Sequence, residues 1–475
     1  EQYGYYCKHY LQMIRLFRVF IPVGVLALLV SEILLTAACY VLAAFLILDV
    51  SFATYLTADD GLARIALVIA SILLGLHFSD LYTRIHVTSR LQLLQDLCQV
   101  IGIALLGQGL ISYAYPGLRL GRGIMLLGSL LCLAALFVWR VFYSARILSA
   151  VGGDRILFIG TNQVIREMAS HIAVHPELGL SIAGYLVNDS DRDTEVVGGR
   201  ILGPISALLE IARAEKPGRI VVGMTERRDR MPVQDLLTLR FSGFKIEDAG
   251  TTYEVVCGRI CTKELRPGQL IFSGELGPRP ASLFFQSVLN MSVAILGAIL
   301  TLPLMILVAI AVRVTSRGPV LYRQVRVGID GAPFTLFKFR SMRVDAEDAT
   351  GAVWASKDDP RTTSIGRFLR KVRLDELPQF FNVLRGEMSL VGPRPERPEF
   401  VQTLSEQIPY YRQRLCVKPG ITGWAQINYK YSDTLQDTIT KLEYDLYYVK
   451  HVSPSLDAYI IFHTLKTIVL SRGAQ

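Results

Sequence analysis

The chain has 475 residues, 51% of them apolar and 19% charged, with a mean hydropathy of +0.37. That balance argues against a wholly soluble protein and asks for membrane segments within a chain of two to four domains. The net charge of +9 suits an anionic membrane leaflet or a phosphorylated ligand; the basic residues are dispersed around apolar segments, which argues against nucleic acid. Of the seven cysteines, Cys39, Cys98 and Cys132 lie in apolar runs, and Cys257 and Cys261 have no second pair nearby. They read as reduced thiols on the cytosolic side.

Four apolar runs fill the first third, at residues 20–48, 62–78, 93–114 and 124–142. Each is close to or above the roughly 20 residues that span a hydrocarbon core. The first is too long for a signal peptide and lacks a small-residue cleavage site. Glu32 lies inside it and is expected to pack against other helices. Lys8, Arg15 and Arg18 precede the first run, the loop 49–60 has neither Lys nor Arg, and Arg84 and Arg90 separate the second and third. Arg140, Arg146 and Arg155 close the fourth run. Arg119 and Arg122 count the other way, but the balance puts both ends of the bundle in the cytoplasm.

From Arg155 the pattern changes. "RILFIG" (155–160), "SIAGYLV" (181–187), "GRIVVG" (218–223) and "FKIED" (244–248) read as strands, and 164–174, 205–214 and 233–241 as helices. That alternation predicts a small βαβ domain with a parallel sheet. "GTNQVI" after the first strand supplies only one of the glycines that let backbone approach a pyrophosphate, so a regulatory or oligomerisation domain is expected there. Asp189, Asp191 and Asp193 form a DxDxD string that in other contexts holds a metal; here, after a strand and mixed with Ser and Asn, it reads as a solvated turn.

A Gly/Pro stretch, "SGELGPRP" (273–280), leads to a fifth apolar run at 283–312, interrupted by Pro303. The preceding βαβ domain is cytoplasmic by parity, and Arg313, Arg317, Arg323 and Arg326 after the run also prefer the cytoplasm. Both ends on one side predict a broken, re-entrant helix rather than a span.

Downstream, "GPVLYRQVRVG" (318–328) and "FTLFKFRSM" (334–342) read as strands with cations alternating against apolar residues. In "RLDELPQ" (373–379) two acids, Asp375 and Glu376, stand just before Pro378 at a helix end. Locally, a solvated helix end would explain them, with Lys371 pairing to Asp375 and Arg373 to Glu376. Yet Arg361, Arg367, Arg370, Lys371, Arg373, Arg385 and Arg394 crowd around the pair, a density of fixed cations that suits several phosphate charges. A carboxylate among them can stay ionised and attack phosphorus, and Mg²⁺ is the natural hard ion for carboxylate and phosphate ligands.

The run "FKFRSM … DELPQ … NVLRGEMSLVGPRP … KPGITGWAQ" closely resembles the bacterial sugar transferases, the polyprenyl-phosphate hexose-1-phosphate transferases of the monotopic phosphoglycosyl transferase superfamily. The resemblance covers residue 283 to the C-terminus, and the preceding bundle and βαβ domain look like the large three-part members used in exopolysaccharide, capsule or O-antigen synthesis. It implies a membrane protein of α+β class: a four-helix transmembrane bundle at 1–150, a Rossmann-like domain at 151–260, a linker at 261–282 and a catalytic domain at 283–475 with its re-entrant helix at 283–313. It implies that Asp375 attacks the sugar-bearing phosphate of a UDP-sugar, releasing UMP, and that undecaprenyl phosphate then takes the phosphosugar. Glu376 would assist as Mg²⁺ ligand or base, with the metal held by Asp375 or Glu376. Lys338, Arg340, Arg370 and Arg394 match basic family positions for phosphate or nucleotide, and Pro303 matches the helix-breaking proline, preceded here by Leu302 where some relatives have a small hydroxylated residue. The expected location is the bacterial inner membrane, catalytic domain on the cytoplasmic face. Donor, lipid acceptor and membrane lipid are the implied partners, with no nucleic acid; a homodimer through the βαβ domain is admitted. Glucose is the first choice of sugar, then galactose, then N-acetylated sugars.

Asp445 in "YDLYY" is a weaker site candidate, since a salt bridge to Lys441 explains it equally well. Residues 453–470 read as an interfacial amphipathic helix, with core packing as the alternative and His463 as an ordinary helix-face residue. A nucleotide-sugar dehydratase needs a Tyr-x-x-x-Lys, which no tyrosine here provides. A non-catalytic scaffold for polysaccharide assembly would tolerate change in the dyad, and an ordinary glycosyltransferase would release UDP.

Overall fold

A computed structural model describes residues 13–16, 18–48, 55, 60–87, 89–147, 154–188, 195–224, 231–262, 280–344, 346, 359–429 and 434–469. The aspartates at 189, 191 and 193 lie outside them. The chain divides into two units, the first holding residues 1–16 and 20–249, the second 17–19 and 250–475.

In the first unit a short two-stranded sheet, β1 (Met13–Leu16) with β2 (Val19–Pro22), precedes four long apolar helices. These are α1 (Val23–Leu48), α2 (Gly61–Phe78), α3 (Arg90–Ala114) and α4 (Arg122–Phe142). Each is long and apolar enough to cross a membrane. With apolar surroundings on both sides of such helices, polar contacts must be paired inside the bundle. Tyr40 Oη lies 2.7 Å from Ser129 Oγ, Trp139 Nε1 donates to Ser31 Oγ at 2.9 Å, and Gln108 Nε2 donates to Ser71 Oγ at 3.1 Å. Gly128 lets the Tyr40 ring approach, since a Cβ there would meet the ring carbons at 2.5 to 3.1 Å. Glu32 has the packing role expected of it: Arg140 Nε stands 2.7 Å from its Oε1, and Nη2 donates to Oε2 at 3.1 Å.

The same unit holds a five-stranded sheet, all parallel, of β3 (Asp154–Ile159), β4 (Leu180–Val187), β5 (Ile201–Pro204), β6 (Arg219–Val222) and β7 (Lys245–Asp248), in the order β5-β4-β3-β6-β7. Helices α5 (Gln163–Val174), α6 (Leu208–Glu215) and α7 (Val233–Phe241) follow β3, β5 and β6 as the crossovers between parallel strands. The pattern predicts four of the five strands. The edge strand β5 escapes it because "ILGP" is too short and too rich in Gly and Pro to show alternation.

The second unit opens with α8 (Ala249–Cys257), which follows β7 without a linker. Its chain is knitted into the unit through Glu443, which accepts from Tyr253 Oη and Thr262 N at 3.1 Å, and through Trp424, whose Nε1 donates to the Gly258 carbonyl at 2.7 Å. Next comes α9 (Pro280–Thr315), one helix of 36 residues that continues through Pro303. Its apolar residues are largely exposed, Leu300 by 70% and Ile299 by 64%. Its polar exceptions dock it: Gln286 and Asn290 donate to Asp457 Oδ2 at 2.9 and 3.0 Å.

Among the described residues, the rest of the unit holds an antiparallel hairpin, β8 (Leu321–Val327) with β9 (Pro333–Phe339), a parallel pair, β10 (Ser389–Val391) with β11 (Gly420–Thr422), and six α-helices. The helices are α10 (Ser364–Lys371), α11 (Gln379–Leu384), α12 (Pro398–Gln407), α13 (Trp424–Asn428), α14 (Leu435–His451) and α15 (Pro454–Val469). A core of Met388, Leu390, Val391, Trp424, Leu446, Tyr447, Leu456 and Ile460 joins β10 to α14 and α15. α15 therefore buries one face in that core, the packing alternative for this segment, while Phe462, Leu465 and Ile468 stay exposed on the other.

Candidate active site

Two short helices and the turn between them carry the acidic pair. The Thr363 side chain caps α10 by accepting from Gly366 N at 3.0 Å. Gly366 is needed for close approach, because a Cβ there would collide with the Ser341 carbonyl. α10 stops at Lys371, and Arg373 takes a left-handed conformation (φ 57°) that turns the chain sharply. Leu374–Glu376 then form a single 3₁₀ turn, and Pro378 stands just ahead of α11. The pair thus lies ahead of a helix start instead of on the end of the preceding helix. The proline fits where the first amide needs no helical partner, and the positive φ at Arg373 does the breaking. Of the local pairings expected of a solvated helix end, Arg373 reaches Glu376 at 3.9 Å; Lys371 makes no ion pair with Asp375.

Strand β9 brings the first distant cation. Lys338 Nζ lies 3.0 Å from Glu376 Oε1. The strand is locked to α11 by Asn382, fully buried, whose Nδ2 donates to the Thr335 carbonyl and to Glu387 Oε2, both at 2.7 Å. Its Oδ1 accepts from Phe337 N at 3.1 Å. Asn382 thereby sets the register between the lysine and the dyad. Sequence reasoning passed over it, because an amide in "NVLRG" has no signature apart from being an asparagine inside a helix.

The second distant cation comes from the "GPRP" loop. Ser389 pairs with Gly420 and Val391 with Thr422, so the motifs "SLVGPRP" and "KPGITGW" are one pair of strands. The loop after β10 is held on both sides: Arg414 Nη2 donates to the Arg394 carbonyl at 2.9 Å, and Arg326 Nη1 to the Pro395 carbonyl at 3.0 Å. Arg394 Nη2 then reaches Glu376 Oε1 at 2.7 Å. Arg414 is anchored by Asp445 Oδ2, at 3.0 Å from Nε and 2.8 Å from Nη2. Asp445 therefore pairs with Arg414, not with Lys441 as its i,i+4 spacing suggested.

Arg370, on α10, donates from Nε to Ser341 Oγ at 3.2 Å and, with Lys338 and Arg394, acts on the field at Asp375. Arg340 is not part of this group. Just beyond the end of β9, its buried guanidinium donates from Nη2 to the Ser316 carbonyl at 2.8 Å and to Ser316 Oγ at 2.6 Å, bracing the chain that leaves α9. Pro303 lies inside α9.

The two acids differ sharply in environment. Burial works to raise the Glu376 carboxyl, but Arg394, Lys338 and Arg373 outweigh it and hold the group well below the usual carboxylate range. Asp375 is 6% exposed and has no hydrogen bond or ion pair among the described residues. Burial and then the Glu376 charge push its carboxyl up, against the pull of Lys338, Arg370 and Arg394. Burial also pulls the Lys338 ammonium down, against Glu376. Among the described residues no three His, Cys, Asp or Glu side chains gather as a metal site. The dyad alone still fits a hard divalent ion that draws its other ligands from phosphate oxygens: Asp375 is unpaired, and Glu376 Oε2 has only the longer contact to Arg373.

A family profile described as bacterial sugar transferase matches residues 281–471. Over 222 residues the chain is 42% identical to a UDP-N-acetylgalactosamine-undecaprenyl-phosphate N-acetylgalactosaminephosphotransferase of Aeromonas hydrophila. That alignment covers 47% of this chain and about half, 52%, of the relative's length. A UDP-glucose:undecaprenyl-phosphate glucose-1-phosphate transferase of Klebsiella pneumoniae is 35% identical over 349 residues, 71% of each chain. The protein of the same name from Xanthomonas campestris pv. campestris is 32% identical over 368 residues, 74% of each.

Proposed function

The chain belongs to the bacterial sugar transferase family, and on that premise we propose that it is a phosphoglycosyl transferase moving a hexose 1-phosphate from a UDP-sugar to undecaprenyl phosphate. One observation carries the reading: a buried, unpartnered Asp375 carboxyl stands beside a Glu376 whose Oε1 is held by Lys338 and Arg394, with Arg370 nearby. A carboxylate oxygen of Asp375 attacks the phosphorus bearing the sugar. The bond from that phosphorus to the UMP oxygen breaks, and UMP leaves with the electron pair. A phosphate oxygen of the lipid then attacks the same phosphorus, the aspartyl–phosphorus bond breaks, and Asp375 is regenerated as undecaprenyl-diphosphate sugar departs. Lys338, Arg370 and Arg394 neutralise charge on the phosphoryl oxygens, and Glu376 keeps two of them aimed. Asp375 and Glu376 would hold Mg²⁺, which supplies further neutralisation of phosphate oxygens.

Glucose is the preferred sugar, in line with the names of the two relatives aligned over most of their length. The Aeromonas relative, more similar over a shorter stretch, favours N-acetylgalactosamine as the second reading. The product would initiate exopolysaccharide, capsule or O-antigen synthesis at the cytoplasmic face of the inner membrane.

A re-entrant α9 rests on the preference of Arg313, Arg317, Arg323 and Arg326 for the cytoplasm, since the helix runs unbroken through Pro303, where the sequence predicted a break. A helix of this length rises about 54 Å, well beyond the roughly 30 Å of a hydrocarbon core. Its early residues Gln286 and Asn290 bond to Asp457, Gly297 faces Phe380, and Met305, Val308 and Val312 pack with Phe339 and Leu369.

The test is nucleotide release from full-length protein with UDP-glucose, Mg²⁺ and undecaprenyl phosphate, repeated with the N-acetylated donors. UMP is expected. UDP would overturn the mechanism, and no nucleotide with any donor would favour a scaffold.

A further inference from the structure

Asp457 is fully buried near the start of α15, and the steps above do not use it. Among the described residues it has no ion pair; three uncharged donors hold its carboxylate instead. Gln286 and Asn290 reach Oδ2 from the apolar helix α9, and the Tyr448 hydroxyl on α14 lies 2.8 Å from Oδ1. Burial pushes this carboxyl up to about 6, against the pull of all three donors. Packed apolar side chains would seat α9 without that cost, so the acid serves more than adhesion. What it adds is direction. The buried Tyr448 oxygen also accepts from Gln286 Nε2 at 2.8 Å and stands 3.1 Å from the Val391 carbonyl. One hydroxyl thus joins α9, α15 and β10 through bonds that fix angle as well as distance.

Val391 stands three residues before Arg394, and little slack separates them. Gly392 donates its amide to the Thr422 carbonyl at 2.9 Å, and a Cβ on it would collide with the Lys418 carbonyl. The Pro393 carbonyl accepts from Gly420 N at 3.0 Å. A shift of β10 therefore passes along this packed stretch to Arg394, whose guanidinium stands 2.7 Å from Glu376 Oε1. We propose that Tyr448 and Asp457 are positioning residues: their bonds fix β10, and through it Arg394, against the seat of α9. The inference rests on the function proposed above for what Arg394 does, but not for where Arg394 is held. Neither Tyr448 nor Asp457 is bonded to the dyad, so each acts on turnover through the place of that guanidinium.

The test is a double-mutant cycle on the full-length protein, read as UMP release per folded molecule, with Tyr448→Phe, Arg394→Gln and the two combined. Tyr448→Phe keeps the ring and should lower kcat about tenfold while donor KM changes by less than about threefold. In the Arg394→Gln background the same change should cost less than about twofold, because the residue it positions is gone. Asp457→Asn should behave like Tyr448→Phe in a second cycle, which stands if the tyrosine variant folds poorly. Ile460→Val, in the same core but outside these bonds, should lower the melting temperature and leave kcat unchanged. Additive losses in both cycles would make Tyr448 and Asp457 ordinary packing and overturn the proposal, as would full kcat in either single variant. Hydrogen exchange gives a readout without turnover: the Gly392 and Arg394 amides should exchange at least about fivefold faster in Tyr448→Phe. If the wild type released no UMP, the proposed function would fail, and unchanged exchange at those amides would overturn the positioning by itself.

Discussion

Glu32 in the membrane bundle and Glu376 in the second unit each meet an arginine at 2.7 Å, yet their surroundings differ. Glu32 and Arg140 close on each other: both carboxylate oxygens face the guanidinium, and Arg140 Nη1 goes on to the Leu81 carbonyl at 2.8 Å. Both are almost wholly buried, and the charges balance one to one. Around Glu376 nothing balances. Lys338 and Arg394 share one oxygen, Arg373 approaches the other, Arg370 stands nearby, and Asp375 has no partner. A closed pair satisfies the fold; a cluster with cations to spare and one unpartnered acid awaits a ligand. The lesson is that a buried carboxylate–arginine contact means little until the charges around it are counted.

The sharpest way to break this contrast is at the unpartnered acid. Asp375→Asn should lower UMP release by at least about a thousandfold while leaving expression and melting temperature unchanged, since no intramolecular bond is lost. Retained turnover would remove its nucleophilic role. Arg140→Leu should do the reverse, costing roughly 3–5 kcal/mol of stability by stranding Glu32, with the Glu32→Met, Arg140→Leu double variant recovering most of it. Thermal melting in detergent checks the stability, and activity per folded molecule should stay near wild type. Asn382→Leu tests the support of the open cluster. It leaves the Thr335 carbonyl, Glu387 and the Phe337 amide without this partner, and a shifted Lys338 should lower kcat by about 10- to 100-fold.

The pH profile sharpens the comparison further. Protonated Asp375 cannot attack, and burial with the neighbouring Glu376 raises its carboxyl. The acid limb of kcat/KM, which reports the free enzyme, should therefore lie above the ordinary aspartate value of about 3.9. Glu376→Gln removes the like charge and should move that limb to lower pH while slowing turnover; an unmoved limb would uncouple the pair. The smallest effect belongs to Arg373→Gly. It relieves a left-handed residue worth about 1–2 kcal/mol and gives up the long 3.9 Å contact to the buried Glu376, so the two largely offset and melting should change little.

By itself the sequence determined what depends on near neighbours and on composition. The dyad, locally readable as a solvated helix end, took its role from the motifs around it; the four bundle helices follow from uninterrupted apolar runs and four strands of the parallel sheet from their β-rich segments. These are local signals, readable because a helix or strand is built from consecutive residues. The tertiary structure decided which charges serve which acid. Lys338 and Arg394 stand 38 and 18 residues from Glu376 and reach it only because Asn382 clamps β9 to α11 and the β10–β11 pair presents the loop. Arg340, two residues from Lys338, goes instead to Ser316, and Asp445 chooses Arg414 over the helical neighbour Lys441. Pairing across folded chain is settled by where strands and helices meet in space, and no spacing along the sequence encodes that.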